Sequence, residues 1–309
     1  MPETKSLHVD AILSEMSVKY RNEAMIWPLL MPVVKVQKRS DKFFVYQKED
    51  SYRLADDAVA PKGLPNEITW GVLEDNYSVV DHALGDWLPQ EVIDNADGPI
   101  QPEADTVDFL NMLLDVRQEK RVADIVFSQA TYPAGNQTAL SGTAQWGGTT
   151  DDPVGDVMNA VEGCFIRANT LVFGAEAWAA FRKLPEVLEA VKSVNTGANG
   201  FATAGEVAAL FEVEHVLVGR ARYITSKEGQ PSAYTRLWGK HCAALYTASN
   251  PGLRSITFGL TFSEMAREVQ RDFDPKRGVK GAHYIKAAWN SDEKAVAPEL
   301  GCLIRNAVA

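Results

Sequence analysis

The sequence predicts an α+β protein, and three observations carry that prediction. A helical stripe of apolar residues runs through 105–127, helix and strand patterns alternate through 151–254, and the last third turns mostly to strands. The 309 residues are 46% hydrophobic and 23% charged, which places the chain among folded globular proteins and gives it enough length for a large core or several subdomains.

From the N-terminus, VDAILSEMSVKY at 9–20 has apolar positions Ile12, Leu13, Met16 and Tyr20, the spacing of a short amphipathic helix. Trp27, Pro28 and Pro32 then predict an extended segment, because proline lacks the amide donor and clashes inside a helix. This leader reads as an arm outside the core. Phe43–Tyr46 form an apolar run and Ile68, Trp70 and Val72 alternate with Thr69 and Gly71, so two strands are expected there. Between them lie about twenty residues rich in charge, Ala and Pro, a length that compact domains seldom leave unstructured without a function.

The strongest helix is DTVDFLNMLLDVRQEKRVADIVF at 105–127, with Val107, Leu110, Leu113, Leu114, Val122, Ile125 and Val126 at helical spacing. Acids Asp105 and Asp108 open it and Arg117, Lys120 and Arg121 fall in its second half, an order that suits the helix dipole. At helical rise it is a rod of roughly 35 Å. The Gly-, Thr- and Pro-rich 131–153 reads as a loop. DVMNAVEGCFIRA then reads as a helix, TLVFG as a buried strand, and AEAWAAFRKLPEVLEAVK as one helix carrying a proline. Thr203 and Glu206 have capping-box spacing ahead of VAALF, and HVLVG reads as a strand that continues extended through ARYIT. Strands follow in RLWGKHCAALYTA, SITFGLTF, REVQRDF and HYIKAAW, the last two joined through DPKRG, a hairpin signature.

Composition narrows the function. Three widely spaced cysteines, Cys164, Cys242 and Cys302, read as reduced thiols of a cytoplasm-made protein. The polar start is unlike a secretory signal, and the longest apolar stretch, MIWPLLMPVV, is too short to span a bilayer. A net charge of −10 argues against tight nucleic-acid binding, which needs a basic patch.

Chemistry is hard to find. His8, His82, His215, His241 and His283 show no ligand spacing, no cysteine pair has zinc spacing, and His241 and Cys242 face opposite sides of a strand. No Gly-x-Ser-x-Gly elbow is present, and Gly197, Gly200 and Gly205 miss both phosphate-loop patterns. Paired acids such as Glu74–Asp75 and Asp151–Asp152 read as solvated surface. No catalytic residue, cofactor or metal is therefore expected. The pointed charge feature is Arg117 with Arg121, four apart on one helix face without an intrahelical acid, whereas Lys120 faces Asp124. A solvated face explains the pair, and so would an acidic partner from outside.

Four phrases, in this order, carry a resemblance: ATYPAGNQTALSGTAQW, NTLVFGAEAWAAFRKLPEVLEAVK, VAALFEVEHVLVGRARY and KAVAPELGCLIRNAV. Together they make the chain resemble the major capsid proteins of tailed bacteriophages, the Hong Kong 97-type shell fold, over most of residues 20–309. AQWGGTTDDPVGDV departs from the pattern in being Gly-rich where relatives are more acidic. The resemblance implies an N-terminal arm at 1–40, an extended loop at 41–85, a peripheral domain from 86–150 and 255–295 built on the spine helix 105–127, and an axial domain from 151–254 and 296–309.

It also implies a structural function: self-assembly into hexamers and pentamers that form an icosahedral head around double-stranded DNA, in a virion assembled in the host cytoplasm. Separate scaffold, portal and decoration proteins are possible partners, and no membrane is. The loop is expected to reach over a neighbouring subunit, held away from its own core, with Lys48, Glu49, Asp50, Arg53, Asp56, Asp57 and Lys62 as contacts. Arg117, Lys120 and Arg121 would meet a neighbour's loop on the spine. Some relatives join a loop lysine to a neighbour's asparagine with a buried glutamate as base; Lys48 and Lys62 are the lysines available, and nothing marks the asparagine or the glutamate. Two alternatives stand beside this reading, an encapsulin-type nanocompartment shell and a cytoplasmic α/β enzyme.

Overall fold

The computed structural model describes residues 22, 25–46, 52–59, 63–69, 71–96, 100–194, 200–227, 229–248, 252 and 255–309. The helix expected at 9–20 lies outside them. The first described elements correct the reading of the leader as an arm outside the core. Trp27–Leu30 form a helical turn, α1, with Pro28 in the first turn, where its missing N–H has no helical partner to lose. Ile26, Trp27, Leu30 and Met31 are buried in a central apolar cluster, and Val33–Lys35 (β1) runs parallel to Gly259–Ser263.

Ser40–Tyr46 (β2) and Val72–Ser78 (β3) pair antiparallel and form the base of the long loop. The second strand starts at Val72, so exposed Ile68 lies outside it. Val80–Pro89 (β4) and a short helix Gln90–Asp94 (α2) lead to the rod, Pro102–Val126 (α3), whose 25 residues span about 38 Å at helical rise. It starts three residues earlier than the apolar stripe predicts, because Pro102 fits the first turn and Glu103 and Asp105 face the positive end of the dipole.

One rod serves two cores. Leu110 and Leu114 pack with Ile285 and Ala287, flanked by Val107, Leu84 and Leu88. Further along, Val122, Ala123 and Val126 join the cluster that holds Trp27, Leu30, Phe258 and Trp238. The first of these cores lies against a ribbon made by Glu268–Asp274 (β12) and Ala282–Ala295 (β13), with β4 on β13's other edge. The turn between β12 and β13 contains Gly278 and Gly281 at positive φ, and its Gly278 is the one the DPKRG pattern singles out. Beyond Ser291, β13 pairs with Gly259–Ser263 (β11), which ties ribbon and leader into one sheet, while β2 and β3 form a two-stranded sheet of their own.

The second sheet has the order Gln137–Ala139 (β5), Gly301–Arg305 (β14), Cys242–Leu245 (β10), Thr170–Gly174 (β6), His215–Gly219 (β7). Apart from Arg305 its middle strands are buried, and they sort by strict alternation. Leu171, Phe173, Cys242, Ala244, Cys302 and Ile304 face a cluster built with helices; Val172, Ala243, Leu245 and Leu303 face the rod's cluster. The helices are Pro153–Gly163 (α4), Ala175–Phe181 (α5), Pro185–Val194 (α6) and Ala204–Phe211 (α7).

Local expectations differ from this in three places. α4 stops at Gly163, and Cys164 is already extended, so the helix does not reach Ala168. The single helix expected over 175–192 is two, because a proline inside would remove a hydrogen bond and clash; Pro185 instead opens the second. The segment 137–150, grouped with the peripheral unit above, belongs to the second sheet: β5 pairs with β14, and Leu140 and Trp146 are buried among its helices. Thr203 and Glu206 form both halves of the capping box that their spacing indicates. Arg222–Ile224 (β8) leaves the sheet to form a small hairpin with Tyr234–Arg236 (β9).

Candidate functional site

The long loop is rooted by chemistry at its base. Phe43 and Tyr77 lie against the buried Phe262 of β11, with ring centroids 5.4 and 4.9 Å apart. Lys294 of β13 donates to Asp75 Oδ1 and to the Asn76 carbonyl, both at 2.6 Å, and Asp292 Oδ2 accepts from the Ser78 amide at 2.8 Å. Lys42 pairs with Glu74 across the two strands at 2.5 Å. The base is therefore fixed to the longest strand of the ribbon.

Above the base, the described loop residues 52–59 and 63–69 are exposed and form neither helix nor strand. Asn66 Nδ2 donates to the Asp56 carbonyl at 2.7 Å, which ties the two limbs together, and Asp56 Oδ1 accepts from the Ala58 amide at 3.1 Å. Arg53, Asp56 and Asp57 are exposed. Lys48, Glu49, Asp50 and Lys62 lie outside the described residues. The loop is not held wholly clear of its own chain: Tyr52 stands edge-on to Phe165, which follows α4, with centroids 4.8 Å apart.

The three cations of the rod have different fates. Arg121 binds Glu293 of its own chain in a forked pair, Nε to Oε2 at 2.8 Å and Nη2 to Oε1 at 3.0 Å, and also reaches Ser291 Oγ at 3.3 Å. Its acid is thus supplied by β13, and a neighbour is not needed to neutralise it. Helical spacing reveals acids along the rod but gives no view of a residue 172 positions away. Lys120 pairs with Asp124. Arg117 is exposed and has no acidic partner among the described residues.

Arg121 is one of three clamps between rod and ribbon. Arg271 of β12 pairs with Glu103 at 2.6 Å, and Arg267 with Asp115 at 2.8 Å. The acids lie on the rod in two clamps and on the ribbon in the third, so a sliding register would set like charges together.

Glu119 joins three parts of the chain and is fully buried. Its Oε1 accepts from Trp238 Nε1 at 2.6 Å, and its Oε2 accepts from the Trp27 and Ile26 amides at 2.9 and 3.1 Å. The free amides at the start of α1 are thereby satisfied from the rod. Burial pushes this carboxyl above the ordinary carboxylate value, against the pull of its three donors. A signal for it was present in the sequence: Glu119 lies three, four and seven residues before Val122, Ala123 and Val126, on the apolar stripe.

Among the described residues, no three His, Cys, Asp or Glu side chains gather as a metal site requires. Two histidines have structural partners: His241 Nδ1 accepts from the Asn306 amide at 3.0 Å, and His283 contacts Arg271 and Gln90. The three cysteines are free and buried. No helix among the described residues is long and apolar enough to cross a membrane.

No family model matches the chain. It is 30% identical over 302 residues to the major capsid protein of Pseudomonas phage JBD67, covering 97% of each chain. A phage-related protein of known structure from Bordetella bronchiseptica RB50 superposes with a TM-score of 0.72 at 25% identity, again over 97% of both chains. The capsid protein of cyanophage P-SCSP1u superposes with a TM-score of 0.62 over 97% of this chain and 93% of that one; at 10% identity the likeness is one of fold.

Proposed function

The chain belongs to the major capsid proteins of tailed bacteriophages, and we propose that its copies form hexamers and pentamers that close into an icosahedral head around double-stranded DNA. Its role is structural rather than enzymatic, its fold is the Hong Kong 97-type, and its place is in the capsid, a shell of many copies of the same chain. The observation that carries this is the match at 30% identity along 97% of both chains. Neither the nanocompartment nor the enzyme reading has a relative of that kind behind it.

The finer parts are our reading. The net charge of −10 suits a container, since a strongly basic lumen would hold the genome through its phosphates and hinder packaging and release. Assembly takes place in the host cytoplasm, with any scaffold, portal and decoration proteins supplied as separate chains. The loop acts as a clasp over the adjoining subunit: its base is anchored, while Arg53, Asp56 and Asp57 remain exposed for another chain. Of the rod's cations, Arg117 is the one left to receive a neighbour's acid, because Arg121 and Lys120 are engaged within the chain. The domain division follows the two sheets, with the rod spanning from the ribbon to the second sheet.

Electron microscopy of the expressed protein tests the reading. Closed icosahedral particles with five- and six-fold capsomers are expected. A small discrete oligomer in every condition would overturn it, and particles loaded with enzyme rather than able to hold DNA would favour the nanocompartment.

A further inference from the structure

The unit built on the second sheet carries two patches of like charge, neither neutralised within the described chain. The first is an open pocket of about 310 Å³ where α5 and its following turn meet the β8–β9 hairpin. Arg182, Lys183, Arg220, Arg222 and Arg236 line it around Phe201. The Arg182 guanidinium stands 5.1 Å and the Lys183 ammonium 5.9 Å from the Phe201 ring centre. Arg222 and Arg236 sit directly opposite each other in the hairpin, an arrangement that costs stability unless an anion comes between or beside them. Arg182 Nε is buried with no hydrogen-bond partner, and none of the five cations forms an ion pair among the described residues.

The second patch lies at the start of α4 and of α6. Asp152 caps α4, its Oδ1 accepting from the Gly155 amide at 2.7 Å; Asp151 Oδ2 accepts from the Gly147 amide at 2.7 Å; and burial, then the Asp152, Asp151 and Asp156 charges, push upward the carboxyl of Glu186 in the first turn of α6. Asp156 Oδ2 accepts from Trp146 Nε1 at 3.1 Å, and burial, then the Asp152 and Asp151 charges, push this carboxyl upward against that bond. Neither these acids nor the cations of the pocket are within ion-pair reach of one another in the described chain.

We propose that the cationic pocket of one copy receives the Asp151, Asp152, Asp156 and Glu186 cluster of the next copy around a capsomer. This rests on the shell reading above and names a contact within it. A head-to-tail contact pairs two different patches and closes into a ring, so a single contact type neutralises both clusters in every copy. The pocket has the composition of a protein interface. Arginines surround an aromatic ring that is 58% exposed, and Tyr234 and Ile224 are exposed on the same hairpin. DNA is the less favoured occupant. Backbone tracking calls for a stripe of cations, whereas these converge on one pocket in a chain of net charge −10.

A charge swap tests the contact. Arg222 and Glu186 have no side-chain ion pair among the described residues, so Arg222→Glu and Glu186→Lys should leave the fold intact by circular dichroism. Each alone is expected to lower the assembled fraction several-fold at about 0.15 M salt, and the double variant to recover most of it. In the background of particles that do form, Arg222→Cys with Glu186→Cys should give an intermolecular disulfide ladder under oxidation. The contact is refuted by single variants that assemble like the wild type, or by a double variant no better than the product of the singles. It is equally refuted by normal Arg222→Glu particles that retain less DNA, which would assign the pocket to the genome. Failure of the wild-type chain to form shells at all would remove the shell reading, and this contact with it.

Discussion

Glu119 shows how much one side chain can hold. It satisfies the indole of Trp238 and two amides of the leader from a fully buried position on the rod. Glu119→Ala would strand those donors and leave a cavity, and a loss of about 3 kcal/mol is expected in denaturant unfolding. His82 and His241 give the molecule an acid-sensitive side. Burial holds both imidazoles below their ordinary 6.5, and the charges of Arg121 near His82 and Arg305 near His241 add to it. A folded value below the unfolded one means that the unfolded chain takes up the proton first. Stability is therefore full above about 6.5 and declines as pH falls through the lowered folded values. Unfolding measured from pH 7.5 down to 5 should show that decline, and His241→Gln should flatten part of it; an unchanged slope in the variant would exclude His241 as a contributor. The amide of Asn306, which donates to the Nδ1 lone pair of His241, gives the geometric reason.

At the scale of elements, the rod and ribbon are joined by apolar contact and then fixed in register by charge. Arg121 is the strongest of the three clamps, because its partner Glu293 has a side chain only 5% exposed. Arg121→Ala leaves that carboxylate buried without its cation, and a destabilisation of about 2 kcal/mol is expected. A double-mutant cycle with Glu293→Gln on the dissociated chain should return a coupling of more than about 0.5 kcal/mol. Additive losses would mean that the pair contributes nothing of its own. Elements were legible where local chemistry decides them. The rod, the capping box at Thr203, the buried strand Thr170–Gly174 and the hairpin through Gly278 follow from spacing and turn residues alone. Pro28 looks like a breaker in sequence but fits as a first-turn residue in the structure, so the leader joins the core. The break at Pro185 was visible as a residue, but its outcome depended on two separate packing faces.

At the scale of the whole molecule, the proposed clasp calls for a loop whose packing surface lies mostly on another chain. Its described residues 52–59 and 63–69 are exposed; Asn66 ties its two limbs together, and Tyr52 meets Phe165. Asp56→Lys with Asp57→Lys should therefore leave the melting temperature of the unassembled chain unchanged within about 2 °C, since exposed charges contribute little to monomer stability. The same variant should lower particle yield in electron micrographs. Normal shells at normal yield would exclude the two acids from the clasp.

The sequence by itself determined the α+β class, the rod, the alternation of the buried strands and the resemblance to a shell protein, because each is written in spacing over a few turns or in ordered phrases. It also marked the stretch between Tyr46 and Ile68 as unusually long and polar for an unstructured connection. Only the tertiary structure decided that Arg121 is satisfied at home by Glu293, that Glu119 is the buried joint, and that 137–150 joins the second sheet. It alone gathered five cations around Phe201. Those facts depend on residues far apart in the chain, and the energy that sets them, pairing a charge or satisfying a buried donor, acts through space and leaves no period in the sequence.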